Sequence, residues 1–212
     1  GLSPLIACPK DWEVWLPNDI KGLGSSNFQL VERLVSYEVK PVLNIDNQAI
    51  DLSGSIDIEA PNGLILDSGI YKGPFRLLPD AYGTWTLVEK VSLEDYLYGV
   101  VPHEIGFSSP PAALAAQAVL ARTWALSNAN RFNIDGYHLC SSTQCQVYKD
   151  PSIARPKIKS AIQKTSGKIL LSENKPIKAV YHATNGGVMA SFSESWSVND
   201  VPYLTSRLDG TA

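Results

Sequence analysis

No run of lysine and arginine occurs anywhere in this chain, and its formal net charge is only −3. Nucleic acids and anionic membrane surfaces are held through basic stripes, so neither is an expected partner. No apolar run approaches the ~18 residues that a bilayer span needs, so an integral membrane protein is not expected. Three cysteines in 212 residues are too few for a disulfide scaffold. The chain shows no charged-then-apolar leader, and we expect a signal peptide to be absent or already removed. Internal repeats and low-complexity segments are also lacking, which excludes solenoids and disordered arrays.

What is present is the composition of a folded chain, 44% hydrophobic and 18% charged. The first ninety residues read as short strands and turns. Trp12 to Leu16 alternates and then stops at Pro17-Asn18. Apolar residues between Phe28 and Val42 fall between helix and strand period, with a strand favoured over 36–43. Ile56-Asp57-Ile58, Leu64-Ile65-Leu66, Phe75 to Leu78 and Thr84 to Val88 follow, separated by turn residues such as Ala60-Pro61-Asn62-Gly63. Such spacing predicts antiparallel pairing.

Residues 91–148 gather the unusual chemistry: two of three histidines and two of three cysteines. Ser92 is an expected N-cap with Asp95 at N3, and Leu93, Tyr96, Leu97 and Val100 share one helical face. Pro102 is expected to bend the chain just before His103-Glu104 and to aim Glu104 into a cleft. A carboxyl group walled by Val100, Val101, Pro102 and Ile105 would be desolvated, as a general acid on a glycosidic oxygen requires. A zinc-protease helix would need a second histidine where Phe107 stands, which rules that reading out.

Ser109 and Pro110 announce a second helix running to about Ala129, with Leu114, Ala118, Arg122 and Ala125 along one stripe. Arg122 among alanines predicts a buried structural clamp that needs a carboxylate or carbonyl partner. His138, Cys140 and Cys145 could hold zinc, which takes thiolate and imidazole ligands; a Cys140–Cys145 disulfide and free thiols remain alternatives. Residues 154–165 read as a third helix, and 169–171 with 177–181 as a strand pair. The turn His182-Ala183-Thr184-Asn185-Gly186-Gly187 either lines a sugar or peptide cleft or is simply tight.

Ordered blocks carry a family resemblance: Val91 to Val101, Glu104, Ala113 to Thr123, Gln146-Val147-Tyr148, Thr165-Ser166-Gly167, Tyr181 to Gly187, Trp196 and Tyr203-Leu204. Together they resemble the stage II sporulation protein D/amidase-enhancer (SpoIID/LytB) domain. The resemblance implies an extracytoplasmic peptidoglycan lytic transglycosylase. Such an enzyme cuts between N-acetylmuramic acid and N-acetylglucosamine in denuded strands and leaves 1,6-anhydro ends. The family's catalytic glutamate falls on Glu104, and Gln146, Tyr148, His182 and Asn185 become expected substrate-binding residues. Relatives that bind zinc through a histidine and two cysteines raise zinc over the disulfide at His138, Cys140 and Cys145. Family members that enhance a cell-wall amidase supply the alternative, a non-enzymatic modifier with that amidase as partner. The expected fold is α+β. A β-rich scaffold over 1–89 packs with a mixed helix/strand catalytic region over 90–212, unless the two form one continuous domain.

Overall fold

The computed structural model of the chain describes residues 12–16, 20–21, 28–35, 38–45, 48–51, 54–66, 69–79, 85–196 and 199–210. Cys8 lies outside them. The expected α+β class is found. The strands are β1 (Trp12–Leu16), β2 (Ile20–Lys21), β3 (Phe28–Val35), β4 (Glu38–Ile45), β5 (Gln48–Asp51), β6 (Ile56–Ile58), β7 (Leu64–Leu66), β8 (Gly69–Tyr71), β9 (Phe75–Pro79) and β10 (Trp85–Val91). Helices α1 (Leu93–Ile105) and α2 (Pro111–Ser127), the short β11 (Leu139–Cys140) and helix α3 (Pro156–Lys164) follow. The chain closes with β12 (Leu171–Ser172), β13 (Lys175–Pro176), β14 (Val188–Met189), α4 (Phe192–Ser195) and β15 (Arg207–Leu208).

The central sheet has the order β11-β1-β10-β9-β6. Its pairs are antiparallel except for β1 with β11, where Val14 lies opposite Leu139 and Trp15 opposite Cys140. The sheet therefore joins strands from both sides of residue 89. The segment left open between helix and strand is a hairpin of β3 and β4, extended by β5.

Alternating burial along β9 and β10 turns Phe75, Leu77, Trp85 and Leu87 toward the helices. Opposite them, Leu93, Tyr96, Leu97 and Val100 of α1 are fully buried, as the helical face predicts. Each such leucine contributes about 1.5–3 kcal/mol by leaving water. Ala118, Ala121 and Ala125 of α2 are small enough for α1 and α3 to approach closely, and Ile158, Ala161 and Ile162 of α3 close the layer. Ser92 caps α1 as expected, its hydroxyl accepting from the Asp95 N–H at 3.1 Å.

Three local expectations are corrected. Pro102 does not bend the chain out of the helix: α1 continues to Ile105, and the Gly106 N–H closes on the Pro102 carbonyl. Near a helix end, a missing proline N–H forfeits a single bond, here the one to the Tyr98 carbonyl, which is a small cost beside the burial of the helix. The Gly99 carbonyl accepts the Lys149 N–H at 3.2 Å and ties the helix to the loop after β11. At the second helix, Pro110 occupies the N-cap position, and the Ser109 hydroxyl donates back to the Ile105 carbonyl at 2.6 Å. The expected strand pair at 169–181 also shrinks to two residues on each side, Leu171 with Pro176 and Ser172 with Lys175. Among the described residues, no helix is long and apolar enough to cross a membrane.

Candidate active site

Glu104 rides on the last turn of α1, half-buried, on the wall of a cavity of about 590 Å3. Val100 and Val101, expected to wall its carboxyl group, point into the core instead. The carboxyl group meets the loop after β11, where Oε1 accepts the Val147 N–H at 2.6 Å. Tyr181 lies beside the same carboxyl group, and its hydroxyl oxygen accepts Gln146 Nε2–H at 3.0 Å. Burial first, and then the nearby Glu104 charge, push the Tyr181 phenol above its ordinary range, so it stays neutral beside that carboxyl group. Glu104 is the sole carboxylate in the described lining of the cavity. The other charged groups there are Arg131 and Lys178, and the aromatic ones are Trp124, Tyr181, Phe192 and Trp196.

A buried network lies beneath this wall. The Gln146 side chain accepts the Tyr96 hydroxyl at 3.2 Å and donates to the Ala121 carbonyl at 3.4 Å. The Tyr148 hydroxyl donates to Glu89 Oε2 at 2.8 Å, while Glu89 Oε1 accepts the Lys72 and Gly73 N–H groups. Burial raises the Glu89 carboxyl group above its usual range, although these three bonds oppose the shift. Gly99 is required here, because a Cβ would sit 2.4 Å from the Lys149 carbonyl and 2.5 Å from the Tyr148 ring. The missing methyl lets α1 dock directly on the loop that holds Glu104.

Gln146 and Tyr148, expected to touch substrate, are each 1% exposed and act from below, through Tyr181 and through the loop. The expected substrate residues His182 and Asn185 lie near the surface and are not in the described lining. Asn185 instead shapes its own turn: Oδ1 accepts the Gly187 N–H at 2.9 Å and Nδ2 donates to Asp209 at 2.8 Å. Arg122 is the clamp that the sequence predicts. It is fully buried, with Nε and Nη2 on the two Glu94 oxygens at 2.7 and 2.8 Å and Nη1 on the Lys168 carbonyl at 3.0 Å.

Cys140 and Cys145 come together as free thiols, and Cys145 reaches the cavity. The Cys140 N–H points at Cys145 Sγ at 3.2 Å. The thiols titrate as a pair: the hydrogen bond from Cys145 lowers Cys140 to about 6 and raises Cys145. A structural zinc ion takes four ligands. Among the described residues, no three His, Cys, Asp or Glu side chains are placed to hold a metal, so His138 does not complete the set. The donor set as arranged does not fit zinc.

Sequence reasoning missed Trp124, Arg131 and Lys178 as cavity residues. They are scattered along the chain and only the packing of α2, the β11 loop and α4 unites them. Glu89 carried a readable signal, a carboxylate within the apolar strand Trp85–Val91.

Residues 81–171 match the profile of the SpoIID family, described as stage II sporulation protein. The chain is 33% identical over 177 residues to an uncharacterized protein of Brachyspira hyodysenteriae, covering 82% of this chain and 46% of that protein. It is 34% identical over 134 residues to stage II sporulation protein D of Bacillus amyloliquefaciens, covering 56% and 39% respectively. To the amidase enhancer of Bacillus subtilis it is 36% identical over 113 residues, covering 53% and 15%. The chain thus spans less than half the length of these curated relatives.

Proposed function

The chain belongs to the stage II sporulation protein D/amidase-enhancer (SpoIID/LytB) family, and from that premise we propose that it is an extracytoplasmic peptidoglycan lytic transglycosylase acting on denuded glycan. One observation carries this reading: the described lining of the cavity offers a single carboxylate, Glu104. Glycoside hydrolases of the usual kind work with a pair of carboxyl groups. A lytic transglycosylase needs one, because its nucleophile belongs to the substrate.

Glu104 gives its proton to the bridging oxygen as the bond from the muramic C1 to that oxygen breaks, and N-acetylglucosamine leaves with a free hydroxyl. The muramic C6 hydroxyl then attacks C1 and passes its proton to the Glu104 carboxylate. A 1,6-anhydro ring forms, no water is consumed, and Glu104 ends protonated as it began. The Val147 N–H at 2.6 Å fixes the rotation of the carboxyl group. The test is digestion of purified denuded glycan with wild type and Glu104→Gln. We expect anhydromuramic ends from the wild type and a loss of roughly 10²–10⁴-fold in the variant, the usual worth of a positioned acid–base group. Absence of the product from the wild type would sink the enzyme; equal product from both would sink Glu104.

The likeness to a protein named amidase enhancer favours a second reading, in which the chain binds cell wall and stimulates an amidase. The same digestion separates the two, since a modifier would raise amidase turnover while producing no anhydro ends of its own.

A further inference from the structure

The cavity beside Glu104 has a charge bias that the transglycosylase step does not use. Its described lining carries two cations, Arg131 and Lys178, against one carboxylate, in a chain of net charge −3. Neither cation has an acidic partner among the described residues. The Arg131 guanidinium lies 5.9 Å from the centroid of the Phe132 ring, and Lys178 Nζ lies 4.6 Å from that of Phe192. Ring faces hold cationic heads in place without neutralising them. Arg131 follows the end of α2 and Lys178 follows β13, so distant segments bring positive charge to one cavity. Trp124 and the 55% exposed Trp196 add flat apolar faces to the same walls. Aromatic faces and unneutralised cations beside an acid suit a sugar that bears an anion.

We propose that Arg131 and Lys178 form an anion subsite that takes a carboxylate of the glycan next to Glu104. The proposal rests on the glycan-cleaving role of this cavity and names the group that the cavity selects. Peptidoglycan offers two sources of carboxylate. The lactyl group of N-acetylmuramic acid is a free carboxylate only where no stem peptide is attached, since the peptide amide consumes that charge. The stem peptide carries carboxylates of its own, many bonds from the sugar. A subsite sharing one cavity with Glu104 lies within reach of the lactyl group on the sugar being cut. Arg131 and Lys178 are therefore specificity-determining residues, and an attached peptide is rejected because it removes the charge that they bind.

The test measures binding rather than turnover, in the Glu104→Gln background, by quenching of tryptophan fluorescence. Four probes are titrated: a neutral N-acetylglucosamine oligomer, a glucosaminyl-muramic oligomer with free lactyl carboxylates, the same oligomer as its lactyl methylamide, and the oligomer with stem peptides. The free carboxylate form should bind about tenfold tighter than the methylamide, as expected for charge-assisted hydrogen bonds, and added salt should erode the difference. Arg131→Gln or Lys178→Gln should reduce that ratio to about threefold or less while changing the Kd of the neutral oligomer by less than about twofold. Equal binding of free acid and methylamide, equal loss on the neutral oligomer, or no binding of any probe would each overturn the proposal. Tightest binding of the stem-peptide form would overturn the lactyl assignment and transfer the subsite to peptide carboxylates. Unfolding midpoints of the variants exclude misfolding as the cause. Because no probe is cleaved, the outcome is independent of whether wild type yields anhydro ends.

Discussion

Removing the acid from the Glu94–Arg122 pair should cost more than removing the base. Arg122 is fully buried, whereas the Glu94 side chain keeps 24% of its exposure. In Arg122→Met the stranded group is a carboxylate that still has water on one side and the Gly167 N–H at 3.4 Å. The Lys168 carbonyl also loses its donor. Breaking a buried pair from one side costs roughly 3–5 kcal/mol, and this case belongs near 3. In Glu94→Gln the stranded group is a guanidinium with no access to water, and the cost should approach about 5 kcal/mol. For a chain of this size each kcal/mol moves Tm by about 2–4 °C, so falls of about 6–12 °C and 10–20 °C are expected. Urea unfolding should show lower midpoints at unchanged slope. The double variant strands no charge and should recover about 2 kcal/mol relative to the sum of the single changes. If Arg122→Met costs as much as Glu94→Gln, or the double variant is additive, unequal burial does not control this pair.

Glu89 gives a pH signature. Its folded carboxyl group holds its proton more tightly than the unfolded one does, because burial raises its pKa above 4.5. The associated stability is present in full below the unfolded value and is lost as pH rises through the folded value. Glu89→Gln should remove that part of the pH dependence, and a stability difference from wild type that stays flat between about pH 4 and 8 would count against it. Gly99→Ala places a methyl against the Lys149 carbonyl and the Tyr148 ring. It should cost about 1–3 kcal/mol and reduce turnover by shifting the loop that holds Glu104; wild-type stability and rate would refute the close approach. Zinc measured on protein purified without chelator should be well below one ion per chain, because among the described residues only two thiols converge; one ion per chain that disappears in Cys140→Ser would overturn this.

Local rules sufficed wherever the chain answers to its own period. The Ser92 cap, the buried face of Leu93, Tyr96, Leu97 and Val100, and the strand at Trp12–Leu16 follow from spacing alone. Arg122 was legible for a similar reason, since a charge on an alanine stripe must be paired. Pro102 does not break α1 because losing one bond near the helix end is a small penalty beside the burial of that helix. Gln146 and Tyr148 sit in the right loop, but no pattern in a loop says which side chains turn inward. The cavity cations were invisible because Arg131 and Lys178 meet only through tertiary packing.

The parallel pairing of β1 with β11 has a consequence for how the protein is made. Val14 and Leu139 are partners in the central sheet although they lie 125 positions apart in the chain. During synthesis β1 emerges before β11 and lacks this neighbour until the ribosome has passed Cys140. Non-local pairing of this kind is slow to close, because loop entropy must be spent before the contact forms. The wall that carries Cys145 and Val147 therefore cannot be fixed until residues beyond Cys140 have been made, and Glu104, made some forty residues earlier, waits on it for its hydrogen bond.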